Sequence, residues 1–421
     1  MEMLQEMPRK GVIYNYGYTS HFKTGYLSVD FFMPLTKENA TGMSLLAGVL
    51  SRGCRKFSGM DRISRYLAKN YGASLSITAG KVGEMESLTF AFSFLDRAYA
   101  IDGEDIRAAM VALFRALVFD PLIEDGAFRA DYVEQEKKNL ADKITGLFND
   151  KRIWALERCK SLMCEGEAFG ISESGDLETL EGFDPKNLYA FFQKLTKEAW
   201  VMATYVGQEK DRFMAKLLED LPARENEMPA TQVVPFSGKI KEIEEPMDLN
   251  QSKLTIGFRM GEAALADSAA CRLFNVLYGG SATSKLFMNV RERLSLCYYC
   301  SSRLHRMKNV MFVASGIEAD KYEEARSEIE HQLKAIADGD FSDEEMENAR
   351  AYMIDSYRSL HDNQSALASL MVTGTLHQEL HTPEEEIEAF KKVSREALIA
   401  VAKDVRLDTV YFLKGVHHEG E

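Results

Sequence analysis

Histidine is scarce in this sequence: there are eight in all, and none lies between Phe22 and Arg303. That gap excludes an acid–base pair or metal centre built on imidazole from most of the chain. Cysteine is thin as well. Cys54, Cys159, Cys164, Cys271, Cys297 and Cys300 are scattered too widely for the dense disulfide framework of a small secreted domain, so reduced thiols are expected. No apolar run approaches the roughly 18 residues that cross a bilayer. The opening stretch MEMLQEMPRKGVIYNYGYTS lacks the apolar core of a secretory signal. Positive charge is in deficit, with a formal net charge of -14. An acidic field repels phosphate backbones and anionic lipid, which argues against nucleic acid and membrane as partners. The chain is therefore expected to be soluble, unexported and cytoplasmic.

What is present is the composition of a globular protein: 421 residues, 46% apolar and 28% charged, long enough for two or more cores. Leu27, Val29, Phe31 and Met33 alternate with other residues, the signature of one strand face. Leu254, Ile256, Phe258 and Met260 repeat the pattern 227 residues later. At the same offset Leu46, Val49, Leu50 and Gly53 fall on Leu273, Val276, Leu277 and Gly280, which indicates a duplicated unit. A shorter offset of 222 sets Leu88, Phe90 and Phe92 against Val310, Phe312 and Ala314.

Amphipathic helices follow in each half, marked by Ile106, Met110, Leu113 and Leu117, and by Tyr322, Ala325, Ile329, Leu333 and Ile336. Ser342 and Glu345 have the spacing of a capping box, and each half closes on a strand ending in glycine, WVMATYVG and TVYFLKG. The proline-containing, aperiodic segment LPARENEMPATQVVPFSG reads as a linker. The expected class is α+β: two tandem homologous α/β sandwich domains, 1–222 and 241–421, joined by a linker at 223–240, with helices on one sheet face and a cleft between the domains.

The segment LYGGSATSKLFMNVRERLSLCYY carries Gly279, Gly280, Ser284, Leu286, Phe287, Arg291, Glu292 and Tyr298. In that order it resembles the second-half signature of the insulinase-like metallopeptidases, the family of pitrilysin and the mitochondrial processing peptidases. Arg293 stands where members carry lysine. Within the family the sequence looks closest to the bacterial YmfF-like branch.

The resemblance implies a tandem-repeat fold and, in active members, His-x-x-Glu-His on a first-half helix. There the two imidazoles, one helical turn apart, hold zinc and the glutamate activates water. Aligned on Gly53, those positions are Ser44, Ala47 and Gly48; aligned on Gly42, they are Leu45, Gly48 and Val49. Neither register supplies a ligand. The third-ligand segment, VEQEKKNLADKI, offers Asp142 or Lys143. The expectation is no catalytic residue, no metal ligand and no zinc cofactor.

What the resemblance retains is Arg291 with Tyr298, the substrate-binding pair that in active members holds the substrate backbone and the oxyanion. Tyr299 replaces Tyr298 if the loop shifts by one. A surface ion pair for the arginine and core packing for the tyrosine are the plainer alternative. Gly279 and Gly280 form a glycine loop, read either as a turn needing positive φ or as a substrate contact.

Other clusters carry less. His377 and His381 are four residues apart, a spacing that shares one helix face, but Glu379 between them falls about 200° around the helix from either. Cys297 and Cys300 form Cys-x-x-Cys without a following helix start. Neither they nor Cys159 and Cys164 complete a zinc ribbon, and buried free thiols are expected. The runs Glu323 to Glu324 and Glu384 to Glu386 are expected at solvated helix starts, and the tail HHEGE is expected to be disordered.

The leading reading is a non-catalytic peptidase homologue that binds peptide or protein substrate and pairs with a zinc-bearing homologous subunit. The alternatives are an active metallopeptidase with unrecognised ligands and a homodimeric scaffold that pairs with itself.

Overall fold

The computed structural model describes residues 1–210 and 213–416; the HHEGE tail lies outside them. Two compact units account for the chain. One comprises Met1–Thr145, Ile171–Ala230 and Ser359–Thr382. The other comprises Gly146–Gly170, Thr231–Arg358 and the stretch that starts at Pro383. The units are thus discontinuous in sequence, although no helix or strand interrupts residues 221–240.

The first unit contains strands β1 (Glu2–Arg9), β2 (Val12–Tyr18), β3 (Thr24–Pro34), β4 (Ser74–Val82) and β5 (Met85–Leu95). Helices α1 (Lys37–Ser51) and α2 (Met60–Lys69) lie between β3 and β4, and α3 (Ile106–Phe119) and α4 (Ala130–Gly146) come after β5, with a short ladder of β6 (Ile123–Glu124) and β7 (Ala127–Phe128) between them. After it comes β8 (Trp200–Gly207). The main sheet has the order β1-β2-β8-β3-β5-β4, parallel only between β2 and β8.

Alternation along β3 sends Leu27, Val29 and Phe31 to the face that Leu88, Phe90 and Phe92 of β5 also occupy. Leu46 and Leu50 of α1 and Met110, Leu113 and Leu117 of α3 close that core. Thr36 caps α1, its side chain accepting from the Asn39 backbone N–H at 3.0 Å, which satisfies one of the helix's unpaired donors.

The second unit opens with α5 (Lys151–Met163) and contains β9 (Lys241–Met247), β10 (Ser252–Arg259), β11 (Cys297–His305), β12 (Val310–Ile317) and β13 (Arg406–Gly415). The sheet order is β11-β12-β10-β13-β9, parallel only between β13 and β9. Matching β3 to β10 equates β5 with β12, β4 with β11, β8 with β13 and β2 with β9, directions included. The tandem repeat is therefore real, with β1 as an addition in the first unit.

Its register needs one correction. Val29 pairs with Phe90 and the equivalent Ile256 pairs with Val313, so the offset between β5 and β12 is one more than 222. Met311 and Val313 face the main core of the second unit, whereas Val310 and Phe312 face the other way. Because β12 is buried on both faces, its apolar run is nearly continuous, and a one-residue slip leaves the pattern looking the same.

Both sheet faces are covered, not one. In the first unit the helix Gln364–His377 lays Leu367, Ala368 and Met371 against Val206 of β8. In the second, α5 lays Cys159 and Met163 against Val310, Phe312, Tyr411 and Leu413. Each buried Leu, Met, Val or Phe among them contributes roughly 1.5–3 kcal/mol relative to exposure.

The two covering helices are held by different chemistry. Gln364 of the first donates to the carbonyls of Thr24 and Val206 at 2.7 and 3.0 Å. At the end of α5, Glu167 meets Arg259 at 2.5 Å and the fully buried Lys308 at 2.6 Å, and Asp408 takes the Arg259 Nε at 3.1 Å.

Ser342 and Glu345 form the expected capping box, each side chain accepting from the other's backbone N–H at 3.0 and 2.7 Å. Glu323 and Glu324 lie in a first helical turn and are exposed. Glu386 departs from the expected solvated start: it is buried and paired with Arg272 at 2.5 Å. Among the described residues no helix is long and apolar enough to cross a membrane.

Candidate functional site

Two places in the fold correspond to the two parts of the sequence signature. In the first unit Ser44 and Ala47 of α1 line a cavity of about 250 Å³ together with Ile77, Thr78 and Ala79 of β4 and Glu136, Asn139 and Lys143 of α4. Leu45 and Val49 are buried in the core instead. Of the two registers weighed for the zinc helix, the one with Ser44, Ala47 and Gly48 faces this cavity. Glu136 and Lys143 are seven residues apart on α4, two helical turns, and reach the same space.

The donors there do not fit zinc. Ala47 and Gly48 have no donor atom, and the Ser44 hydroxyl is committed to the Glu173 carbonyl at 3.2 Å. Lys143 brings a cation where a third carboxylate is required. Glu136 is the one candidate ligand, and its oxygens are already engaged: Oε1 by Arg52 Nε at 2.6 Å and Oε2 by Asn139 at 3.1 Å. A Cβ added at Gly48 would come within 2.5 Å of Glu136 Oε2 and 3.0 Å of its Cδ and Cγ. The Glu136 carboxylate therefore occupies the room an imidazole at 48 would need. Sequence reading missed Glu136 and Arg52, since nothing in VEQEKK says which carboxylate turns toward α1.

Next to this cavity is Glu86, also missed. It lies on β5 on the same face as Leu88 and Phe90, fully buried, and neither carboxyl oxygen has a hydrogen-bond partner. Burial, reinforced by Glu173 and opposed by Lys81 and Lys143, pushes its pKa up to about 9. The side chain is therefore neutral at physiological pH.

In the second unit two π-helical turns, Val276–Gly280 and Leu286–Arg293, lead to β11. Neither Gly279 nor Gly280 has a positive φ, which removes the turn reading, one of the two weighed for them. Gly279 is required by close approach, because a Cβ there would stand 2.8 Å from the backbone N of Ser302 on β11 and 2.7 Å from Leu286. Packing thus accounts for glycine at 279.

Arg291 lies near the end of the second π-turn. Its guanidinium stacks 4.6 Å from the Phe287 ring centroid and makes a loose 3.6 Å ion pair with the adjacent Glu292. After a left-handed turn at Ser295 (φ 51), β11 begins with a bulge. Cys297 is opposite Ile317 and Tyr299 is opposite Gly316, so Tyr298 is the extra residue without a partner across the ladder. A bulge turns its extra side chain out of the pleat, and Tyr298 is 62% exposed. Its hydroxyl donates to Glu318 at 2.8 Å, and that carboxylate holds the phenol above its ordinary pKa.

Tyr299 is placed differently. Burial pushes its pKa up to about 12. Its ring packs over Gly316, where a Cβ would come within 2.6 Å, and against the Arg152 guanidinium at 4.6 Å. Of the two tyrosines, Tyr298 is the one presented to solvent.

His377 and His381 do not share a helix. The helix ends at His377, Gln378 takes the left-handed conformation (φ 58), and the Glu379 N–H turns back to the Gly374 carbonyl at 2.8 Å. Among the described residues no group of three or more His, Cys, Asp or Glu side chains could hold a metal ion.

Known proteins place this geometry in a lineage. Residues 182–353 match the family model described as the peptidase M16 inactive domain. The chain is 30% identical over 406 residues, 94% of each sequence, to the probable inactive metalloprotease YmfF of Bacillus subtilis strain 168. Among solved structures, a conserved protein from Enterococcus faecalis V583 superposes with a TM-score of 0.91 at 27% identity, with 100% of both chains covered. A peptidase M16 inactive domain from Pseudomonas fluorescens superposes with a TM-score of 0.76 over 100% of both chains at 15% identity, a likeness of fold alone.

Proposed function

Because this chain belongs to the insulinase-like M16 peptidase family, in the branch of YmfF, we propose that it is a non-hydrolytic subunit that holds extended peptide at Arg291 and Tyr298 and pairs with a zinc-bearing homologue. One observation carries the reading: the two parts of the family signature have opposite fates. In the first unit Ser44, Ala47 and Gly48 stand at the histidine positions, and Glu136, tied to Arg52, takes up the room beside them. In the second, an arginine fork and a phenol are offered at the surface.

The chemistry suits recognition without cleavage. A guanidinium presents several N–H donors in a fixed plane, which matches peptide carbonyls or a carboxylate. A phenol adds a donor that also accepts. The donors lining the first-unit cavity do not suit an ion that would acidify water, and a lysine stands in place of the third carboxylate. Under this reading the chain carries no zinc of its own.

The test is reconstitution with a zinc-bearing M16 homologue from the same cell. Alone, the purified chain cleaves no peptide and retains no stoichiometric metal after dialysis. Added to the homologue, it changes peptide turnover, and the Arg291→Ala variant changes it less. If the wild-type chain alters neither binding nor turnover by the homologue, pairing is wrong.

A further inference from the structure

The Cys-x-x-Cys of β11 has a geometry that its sequence conceals. In a regular strand, residues three apart point to opposite faces. Here the bulge at Tyr298 absorbs one residue, so Cys297 stands opposite Ile317 and Cys300 opposite Ser315, two residues apart on β12. Residues two apart share a face. Both cysteines therefore point into the same core, with backbones separated by about two strand rises, roughly 6.5–7 Å. That is the long end of the span a disulfide bridges. The two thiols and the Ser315 hydroxyl lie close enough to shift one another's ionisation.

We propose that Cys297 and Cys300 are a reversible dithiol–disulfide pair, oxidised by a peroxide, that staples the bulge presenting Tyr298. The roles are unequal. Cys297 is the more exposed of the two, at 9% against 3%. The hydrogen bond from Cys300, opposed by burial and aided by Ser315 and the positive field of Arg291, holds the Cys297 thiol below its ordinary range. Cys300 is held well above it, first by its bond to Cys297 and then by burial.

Burial, reinforced by neighbouring acidic groups, raises the other four thiols: Cys271 to about 12, Cys164 to about 11, and Cys54 and Cys159 in the same direction. Of the six, Cys297 is the one whose surroundings favour the nucleophilic thiolate.

The chemistry balances in two steps. The Cys297 thiolate attacks one peroxide oxygen; an S–O bond forms, the O–O bond breaks, and the departing oxygen takes up protons as water. The Cys300 sulfur, losing its proton, then displaces the second oxygen from Cys297 as another water, forming the S–S bond. Two thiols give up two electrons and two protons, and one hydrogen peroxide becomes two waters. A small dithiol reverses the change by exchange. The pair stands on the bulge and the thiols, independently of any peptide-binding role, so its readout is the crosslink and not peptide affinity.

The experiment treats the full chain with stoichiometric hydrogen peroxide, unfolds it, alkylates it and maps the cysteines by mass spectrometry. The expected product is lighter by two hydrogen atoms, contains a Cys297–Cys300 crosslink, leaves the other four cysteines alkylated, and returns to six thiols with dithiothreitol. A Cys300→Ser variant is expected to trap a sulfenic acid on Cys297, captured by a 1,3-diketone probe. If wild-type protein yields six alkylated thiols, a crosslink elsewhere, or a sulfinic acid on Cys297 with Cys300 still free, the proposal is overturned. The wild-type mapping decides the matter even if a variant fails to fold.

Discussion

After the central strand of each repeat comes a helix, and the two helices end in contrasting surroundings. In the first repeat, α1 faces a cavity where Glu136 occupies the room beside Gly48 and is itself tied to Arg52 and Asn139. In the second, the equivalent segment continues through π-helical turns to Arg291, and a bulge in the edge strand β11 turns Tyr298 to solvent. Conversion of the hydrolytic position into ordinary packing needs only a few short-range contacts. Presentation of a side chain at a sheet edge needs a deliberate departure from regular geometry. Under the proposed function the first repeat is a site closed over and the second a site that presents peptide contacts.

The covering helices extend the contrast and give the largest expected effect. Glu167→Gln leaves Arg259 and Lys308 buried with one partner fewer, and such a loss costs about 3–5 kcal/mol. Gln364→Ala removes neutral hydrogen bonds in the first unit and costs about 1–2 kcal/mol. Denaturant midpoints compare them directly, and equal losses would break the contrast.

The pH dependence separates them further. Burial disfavours the Glu167 charge, but its bonds to Arg259 and Lys308 outweigh this and hold its pKa below the ordinary value. Its stabilisation is present above the ordinary carboxylate range and is lost as pH falls through the folded value. Gln364 has no such dependence.

Glu86 should act with the opposite sign. Its folded pKa is about 9 against an ordinary 4.5. Between those values the unfolded chain ionises while the folded chain keeps its proton. Stability is thus fully present below the lower value and declines as pH rises, by up to about 1.4 kcal/mol per pH unit. Glu86→Gln flattens that slope, measured by urea unfolding across neutral pH. An unchanged slope would mean that Glu86 is ionised in the fold.

A smaller effect tests the closed cavity itself. Gly48→His must displace Glu136 and costs about 1–3 kcal/mol as overpacking. Adding Glu136→Ala recovers part of that cost, a non-additivity expected of residues in contact. The smallest effect belongs to the second repeat's site: Tyr298→Phe changes stability by under about 0.5 kcal/mol, because the residue is exposed, yet weakens peptide binding.

Sequence patterns revealed what depends on local periodicity. The strand alternation at Leu27 and Leu254, the helices after them and the capping box at Ser342 were all legible, because backbone geometry dictates their spacing. Segment partition was not. Nothing in KRIWALERCKSLM states which sheet α5 covers; that depends on Arg259 and Lys308, far along the chain. The slip between β5 and β12 arose because β12 is apolar on both faces. The bulge at Tyr298 was hidden for a related reason: Cys-x-x-Cys reads as opposite faces until one residue is removed from the ladder. The degenerate zinc helix was legible through its missing histidines, but the carboxylate that fills its place belongs to another helix.

The most direct test of the central claim is fluorescence anisotropy of a labelled extended peptide titrated with the purified chain, with and without a metal chelator, followed by mass analysis of the peptide. The account predicts saturable binding that chelator leaves unchanged, an intact peptide, and affinity about tenfold weaker in Arg291→Ala, a loss of roughly 1.4 kcal/mol. Cleavage that chelator abolishes, or the same affinity in the variant, would contradict it.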